Sequence, residues 1–426
     1  MRPVKRLSQR WLRWLTPGLY VKRWLLLLMF SILLIDLGIA YFLKDLYGEF
    51  SFTGPAGHFV YYATLQPLPR VIRALLFGML GLGLLGFSFF MLQRSILGPF
   101  IPGGNRSVAE VLYSSRMLSR GPRIVAIGGG HGLSTLLRGL KEYTGNLTAI
   151  VTVADDGGSS GRLRDEYRIL PPGDIRQCLV ALADAEPLVK QLFDHRFKDG
   201  SLQGHSFGNL FILAMAEVTG DMEHAVRESG RVLAVRGDVL PSTLQDVVLA
   251  ASVNGSTVVG ESQIPKQHAP ISRVFLKPET AEINPEAALA ILNADIITIG
   301  PGSLYTSILP NLLVRGMVDA IRASPALKVF ICNVASELGE TDSFKVSDFI
   351  SVMEDHVGGN IFDFAVVNSN YSYTPTGGQS KVQFDPDAPH GRDVHFILAD
   401  VVNKRVPSHH DPDKLAKVVM KRVWHA

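Results

Sequence analysis

Hydrophobic positions along this chain follow different periods in its two parts. Trp24–Leu43 and Ala74–Leu92 are apolar almost throughout. As a helix each would be about 30 Å long, the thickness of a bilayer's hydrocarbon core, so both are predicted to cross a membrane. Asp36 is the one carboxylate within the first span and is expected to pack toward the second helix or to lie near an interface. From residue 122 the apolar runs shorten and alternate with helical spacing. Ile124–Ile127 reads as a buried strand, Gly128, Gly129, Gly130 and Gly132 as a tight turn, and Leu133, Leu136, Leu137 and Leu140 as one face of a helix.

This alternation recurs, with strands expected at Leu147–Val153, Asp295–Ile299, Leu327–Cys332, Phe362–Asn368 and Asp393–Val401. Helices are expected at Ile175–Ala183, Asn209–Val218, Met222–Glu228, Pro285–Leu292, Val346–His356 and Asp413–Val423. Between them, Leu244–Val253, Thr257–Ser262 and Ile271–Lys277 read as an antiparallel insertion, turned at Asn254-Gly255. The predicted fold is α/β: a Rossmann-like, mostly parallel sheet with an antiparallel insertion, preceded by two transmembrane helices. Residues 1–121 form the anchor and linker, and residues 122–426 the second domain.

Charge orients the anchor. Seven basic residues and no acid precede the first span, from Arg2 to Arg23, whereas the loop from Lys44 to Arg70 is balanced. Positive charge stays inside, so the expected location is the cell membrane, multi-pass, with the large domain facing the cytoplasm. The first run is too long, and its Tyr41-Phe42-Leu43-Lys44 end too bulky, for a cleaved signal peptide. The chain's net charge of +3 therefore belongs to the anchor. The remainder is slightly acidic, which argues against nucleic acid as a partner. Cys178 and Cys332 are the only cysteines, too few and too far apart for a metal cluster or a disulfide framework.

Ligands of parallel sheets bind beyond the carboxyl ends of the strands, so polar, glycine-rich loops there are the candidate sites. Gly128, Gly129, Gly130, Gly132 and Ser134 form the first, suited to a phosphate at a helix N-terminus. Leu133 occupies the third glycine position of a dinucleotide fingerprint, which weakens a dehydrogenase reading. In ADDGGSSGRLR, Ser159, Ser160, Arg162 and Arg164 are suited to phosphate, and either Asp155 or Asp156 to a ribose hydroxyl or a divalent ion. Asp174, in PPGDIR, is a helix cap or a second carboxylate converging with Asp156. His205, Ser206 and Asn209 open the next helix. Gly300, Gly302, Ser303, Tyr305 and Thr306 follow a later strand, with Tyr305 expected to cover a base or sugar. Asn333 ends the strand after that. No nucleophile elbow, metal-binding histidine pair or phosphate-loop lysine is present.

The motifs IGGGHGLSTLLRGLK, VTVADDGGSSGRLR, PPGDIRQCLVALA, GHSFGNLFILAM, VLPST, IGPGSLYTSILPNLLV and CNV followed by GETD occur in order. Over residues 122–370 the chain resembles the YvcK-type gluconeogenesis factors, relatives of the 2-phospho-L-lactate transferases in the CofD-like superfamily. That resemblance implies a Rossmann-like fold binding a UDP-sugar, notably UDP-N-acetylglucosamine, or a dinucleotide such as NAD. It implies a role in carbon partitioning toward cell-wall precursors and in cell shape. The transferase branch implies a divalent metal such as Mg held by aspartates, by position Asp156 and Asp174, and gives the alternative of an enzyme of deazaflavin coenzyme biosynthesis. The Gly-Gly-Ser-Ser insert after Asp156 is closer to the regulator branch. The expected partners are the nucleotide ligand, the membrane and a second copy of the chain.

Overall fold

The computed structural model describes residues 116–424, apart from 185–186 and 389–393, and scattered positions before them. The chain divides into two units, Met1–Arg116 and Met117–Ala426. In the first unit Ile32 and Asp36, and Leu76, Met79, Gly83 and Gly86, are helical, but the rest of the two expected spans lies outside the described residues. Among the described residues no helix is long and apolar enough to cross a membrane.

The second unit is built on β1 (Ile124–Gly128), β2 (Leu147–Val151), β3 (Asp238–Pro241), β7 (Ile296–Ile299), β8 (Leu327–Ile331), β9 (Phe364–Asn368) and β10 (His395–Ala399), with a smaller sheet of β4 (Val248–Val253), β5 (Ser256–Val259) and β6 (Ile271–Lys277). The large sheet is parallel, in the order β10-β9-β8-β7-β1-β2-β3. IVAIG is apolar end to end, and IITI is broken only by the buried Thr298, because both faces of the central strands are covered. Ile124 pairs with Leu147 on one side and Ile296 on the other. The chain thus winds outward from β1 in one direction and from β7 in the other. The crevice above β1 and β7 is the switch point at which such sheets take ligands.

Helix α1 (Gly130–Leu140) packs its predicted stripe, Leu133, Leu136, Leu137 and Leu140, wholly into the core. The expected polar loop Asp155–Arg164 is instead largely helix α2 (Gly158–Tyr167). Its low apolar content hid it, since it is held by tertiary contacts rather than by an amphipathic stripe. Helix α3 (Pro172–Leu182) begins with Pro at its first turn, and the buried Lys141 side chain donates to the Ala181 and Ala183 carbonyls at its other end. Helices α4 (Pro187–Asp194), α5 (Phe207–Thr219) and α6 (Met222–Val232) follow. Strand β3 was not predicted: DVLP is too short, and ends in a proline, which only an edge position tolerates.

The small sheet is antiparallel, and Asn254 (φ +50) and Gly255 (φ +77) make its tight turn. Beyond β5, a turn at Glu261–Gln263 brings this insertion against the loop after β2, where the Asp156 carboxylate accepts from the Ser262 amide at 2.8 Å. Helix α7 (Pro285–Leu292) precedes β7. After β7 come a π-helical turn, Leu304–Ile308, and the short α8 (Leu309–Leu312), then α9 (Met317–Ala323). Helices α10 (Val346–Val357) and α11 (Pro412–Val418) complete the unit.

Candidate functional site

The glycine turns after β1 and β7 meet. A Cβ built on Gly132 would lie 2.4 Å from the Pro301 carbonyl oxygen, so the start of α1 rests directly on the Gly300–Ser303 turn. Asn333, at the end of β8, holds that turn from the other side. Its Oδ1 accepts from the Gly302 amide at 3.1 Å, and its Nδ2 donates to the Gly302 carbonyl at 2.9 Å. Between these elements opens a cleft of about 590 Å³. Of the residues selected from the sequence, Gly129, Gly130, Gly132, Asp155, Asp174, Gly302, Ser303, Thr306 and Asn333 line it.

The others lie elsewhere. Gly128 closes β1, and its carbonyl accepts from Asn311 Nδ2 at 2.9 Å. Ser134 is buried and donates to the His131 carbonyl. Arg164 is buried and donates to Asp246 and to the Val247 carbonyl, tying α2 to the small sheet's approach. Arg162 donates to the Gln203 carbonyl. Neither arginine lines the cleft, because the helical course of α2 turns both side chains away from it. Ser159, His205 and Asn209 are buried together, with Ser159 Oγ 3.0 Å from His205 Nδ1 and accepting from Asn209 Nδ2 at 3.1 Å. Ser206 caps α5, and Ser160 is buried beside Gly173. Tyr305 is 2% exposed, and its hydroxyl donates to the Ile271 carbonyl. It is a core residue, not a lid over a base. A separate hollow of about 500 Å³, lined by Arg168, Leu213, Asp221 and Leu244, contains none of the glycine turns.

What the sequence did not reveal is an acidic wall. Asp155 and Asp174 face Glu261, Glu337 and Glu340 in the cleft, and no lysine or arginine is among its described lining residues. Desolvation, reinforced by Asp155, pushes Asp174 up to about 7, although the Gly130 amide donates to it. Desolvation and the surrounding carboxylates push Glu261 up to about 8. Glu337 is raised to about 7 by desolvation and by Glu340. Desolvation raises Glu340 too, against donated hydrogen bonds from Ser303 and Thr306. Glu261 arrives from the antiparallel insertion, and Ser408, His409 and His410 from the segment after β10. No local spacing in the sequence links these to the glycine turns.

The carboxylate pair at the floor is Asp155 and Asp174, since Asp156 is engaged with Ser262 outside the cleft. With no lysine or arginine among the described lining residues, Asp155 and Asp174 are the oxygen donors that could hold a divalent cation here. Among the described residues, no three acidic, histidine or cysteine groups enclose an ion unaided.

The fold and the cleft define a Rossmann-like α/β protein whose glycine-turn cleft lies at the sheet's switch point. Residues 124–402 match the CofD family, described as 2-phospho-L-lactate transferase CofD, and the chain belongs to that family. It is 45% identical to a putative gluconeogenesis factor from Nostoc sp., over 98% of this chain and 93% of that protein. It is 47% identical to the gluconeogenesis factor of Bacillus subtilis, over 70% of this chain and 97% of that protein. The crystal structure of a UPF0052 family member from Bacillus halodurans, 44% identical, superposes with a TM-score of 0.67 over 71% of this chain and 99% of that one.

Proposed function

We propose that this chain is a membrane-tethered sensor of a nucleotide sugar, of the UDP-N-acetylglucosamine type. In this reading it regulates the partitioning of carbon toward cell-wall precursors and cell shape from the cytoplasmic side. The observation that carries the reading is the meeting of the β1 and β7 glycine turns at the switch point. It opens the N-terminus of α1 onto a cleft large enough for a pyrophosphate-bearing ligand. No lysine, no cysteine and no serine paired with a histidine stands among the described lining residues, and this favours holding over transforming the ligand. Kinship with gluconeogenesis factors supports a regulatory role. The tether rests on the two apolar stretches, and a relative aligned over 98% of the chain shares most of that N-terminal part.

Titration calorimetry of the full-length chain with UDP-N-acetylglucosamine and magnesium tests this. Saturable heat is expected, and none at millimolar ligand rejects the reading. The Asp155–Asp174 pair favours one alternative, a phospholactate-type transferase. In that case a deazaflavin acceptor and a diphospholactate donor would give product, and Asp174→Asn would abolish it.

A further inference from the structure

A phosphate-bearing ligand in a cleft with five carboxyl groups, and no lysine or arginine among its described lining residues, needs more positive charge than one divalent cation on Asp155 and Asp174 supplies. Three imidazoles are at hand. His410 is engaged: it is buried, its Nε2 donates to the Cys332 carbonyl at 3.1 Å, and burial pushes it down to about 4. His131 and His409 differ. Both are exposed at the cleft, and neither ring has a hydrogen-bond partner among the described residues. His131 sits in the first turn of α1 between Gly130 and Gly132. His409 belongs to the loop between Val402 and α11. Its amide donates to the Val406 carbonyl, and its carbonyl accepts from the Asn403 amide, so its backbone is held in place.

We infer that His131 and His409 clamp the phosphate of the cleft's ligand from two sides, each ring donating a hydrogen bond to it. This rests on the reading that the ligand is a nucleoside diphosphate derivative. Desolvation, then His409, with Arg138 of α1 and Arg176 of α3, all lower His131, and only Asp194 of α4 opposes them. The positive end of α1 acts in the same sense. A dianion beside the ring opposes that balance at His131, favouring its charged, hydrogen-bond-donating form. His409 lies beyond residue 402, where the match to the CofD family stops.

The part of the proton uptake that is lost on substituting the two histidines, rather than pH dependence or total uptake, separates the imidazoles from their surroundings. Asp155, Asp174, Glu261, Glu337 and Glu340 on the facing walls also gain protons as pH falls, and this too favours an anion. The test is calorimetry of the full-length chain with UDP-N-acetylglucosamine and magnesium at pH 7.5, in two buffers of different protonation enthalpy. The unsubstituted chain is expected to take up protons. His131→Asn and His409→Asn should each weaken binding about tenfold, and the double substitution should remove most of the uptake. Both rings are exposed, so melting temperatures should match that of the parent. Unchanged affinity and uptake in the double variant, alongside binding by the parent, overturns the clamp. No binding by the parent overturns the ligand reading itself and the clamp with it.

Discussion

Two polar clusters in this molecule are made of similar residues and differ in what surrounds them. One is the cleft above β1 and β7. The other is the knot of Ser159, His205 and Asn209, where α2 meets the start of α5, with each residue less than a tenth exposed. Both come from glycine-rich polar motifs ahead of a helix. In the cleft, however, the turns lie at the point where the sheet's winding reverses, so their amides face an opening. In the knot the Ser159 hydroxyl joins the His205 imidazole and the Asn209 amide nitrogen inside the protein. Polar density in a loop therefore marks a position that needs hydrogen bonds. Topology decides whether a ligand or a neighbouring helix supplies them.

Substitutions on the two sides should separate accordingly. The largest effect is expected from Gly132→Ala. The new Cβ would stand 2.4 Å from the Pro301 carbonyl oxygen and 2.9 Å from Gly302 Cα, and backbone atoms cannot rotate out of its way. A stability loss of about 3 kcal/mol is expected, together with at least a tenfold loss of nucleotide affinity as the two turns are pushed apart. Thermal unfolding and calorimetry read both. Full affinity in this variant would mean that the contact between the turns is not part of the site.

Ser159→Ala should show the opposite pairing. It strands Asn209 Nδ2 and His205 Nδ1 without partners, at a cost of about 2 kcal/mol, or several degrees in melting temperature. Ligand affinity should stay within about twofold. A tenfold loss of affinity with unchanged stability would return the knot to the binding site and remove the contrast drawn above.

The sheet was legible in the sequence because buried parallel strands leave continuous apolar runs such as Ile124–Ile127, and because Leu133, Leu136, Leu137 and Leu140 mark the helix that covers them. The glycine turns were legible because close backbone approach, as at Gly132, admits no other residue. The acidic wall was not. Glu261 reaches the cleft through the insertion, and Glu337 and Glu340 through the loop after β8, and neither route leaves a local pattern. Arg162 and Arg164 misled for a related reason. Guanidinium groups near a strand end suit phosphate, but they serve equally well to fasten a helix that carries little apolar surface, and that is their use here.

Tyr305 gives the smallest and most discriminating difference. The sequence suggested a ring covering a base, and the structure places it in the core, 6.5 Å from Phe344 and 6.4 Å from His356 between ring centroids. Its hydroxyl reaches the Ile271 carbonyl over 3.4 Å, a long hydrogen bond that contributes little. Desolvation pushes the phenol up to about 12, so it stays protonated across the physiological range and adds no pH dependence. Tyr305→Phe keeps the ring and its packing and should cost only about 0.5 kcal/mol, with nucleotide affinity unchanged within error. The π-helical turn that carries Tyr305 also carries Thr306, whose hydroxyl donates to Glu340 in the cleft. A tenfold weaker affinity in Tyr305→Phe would therefore show that this turn shifts when ligand binds, and that the wall above β7 is less fixed than its burial implies.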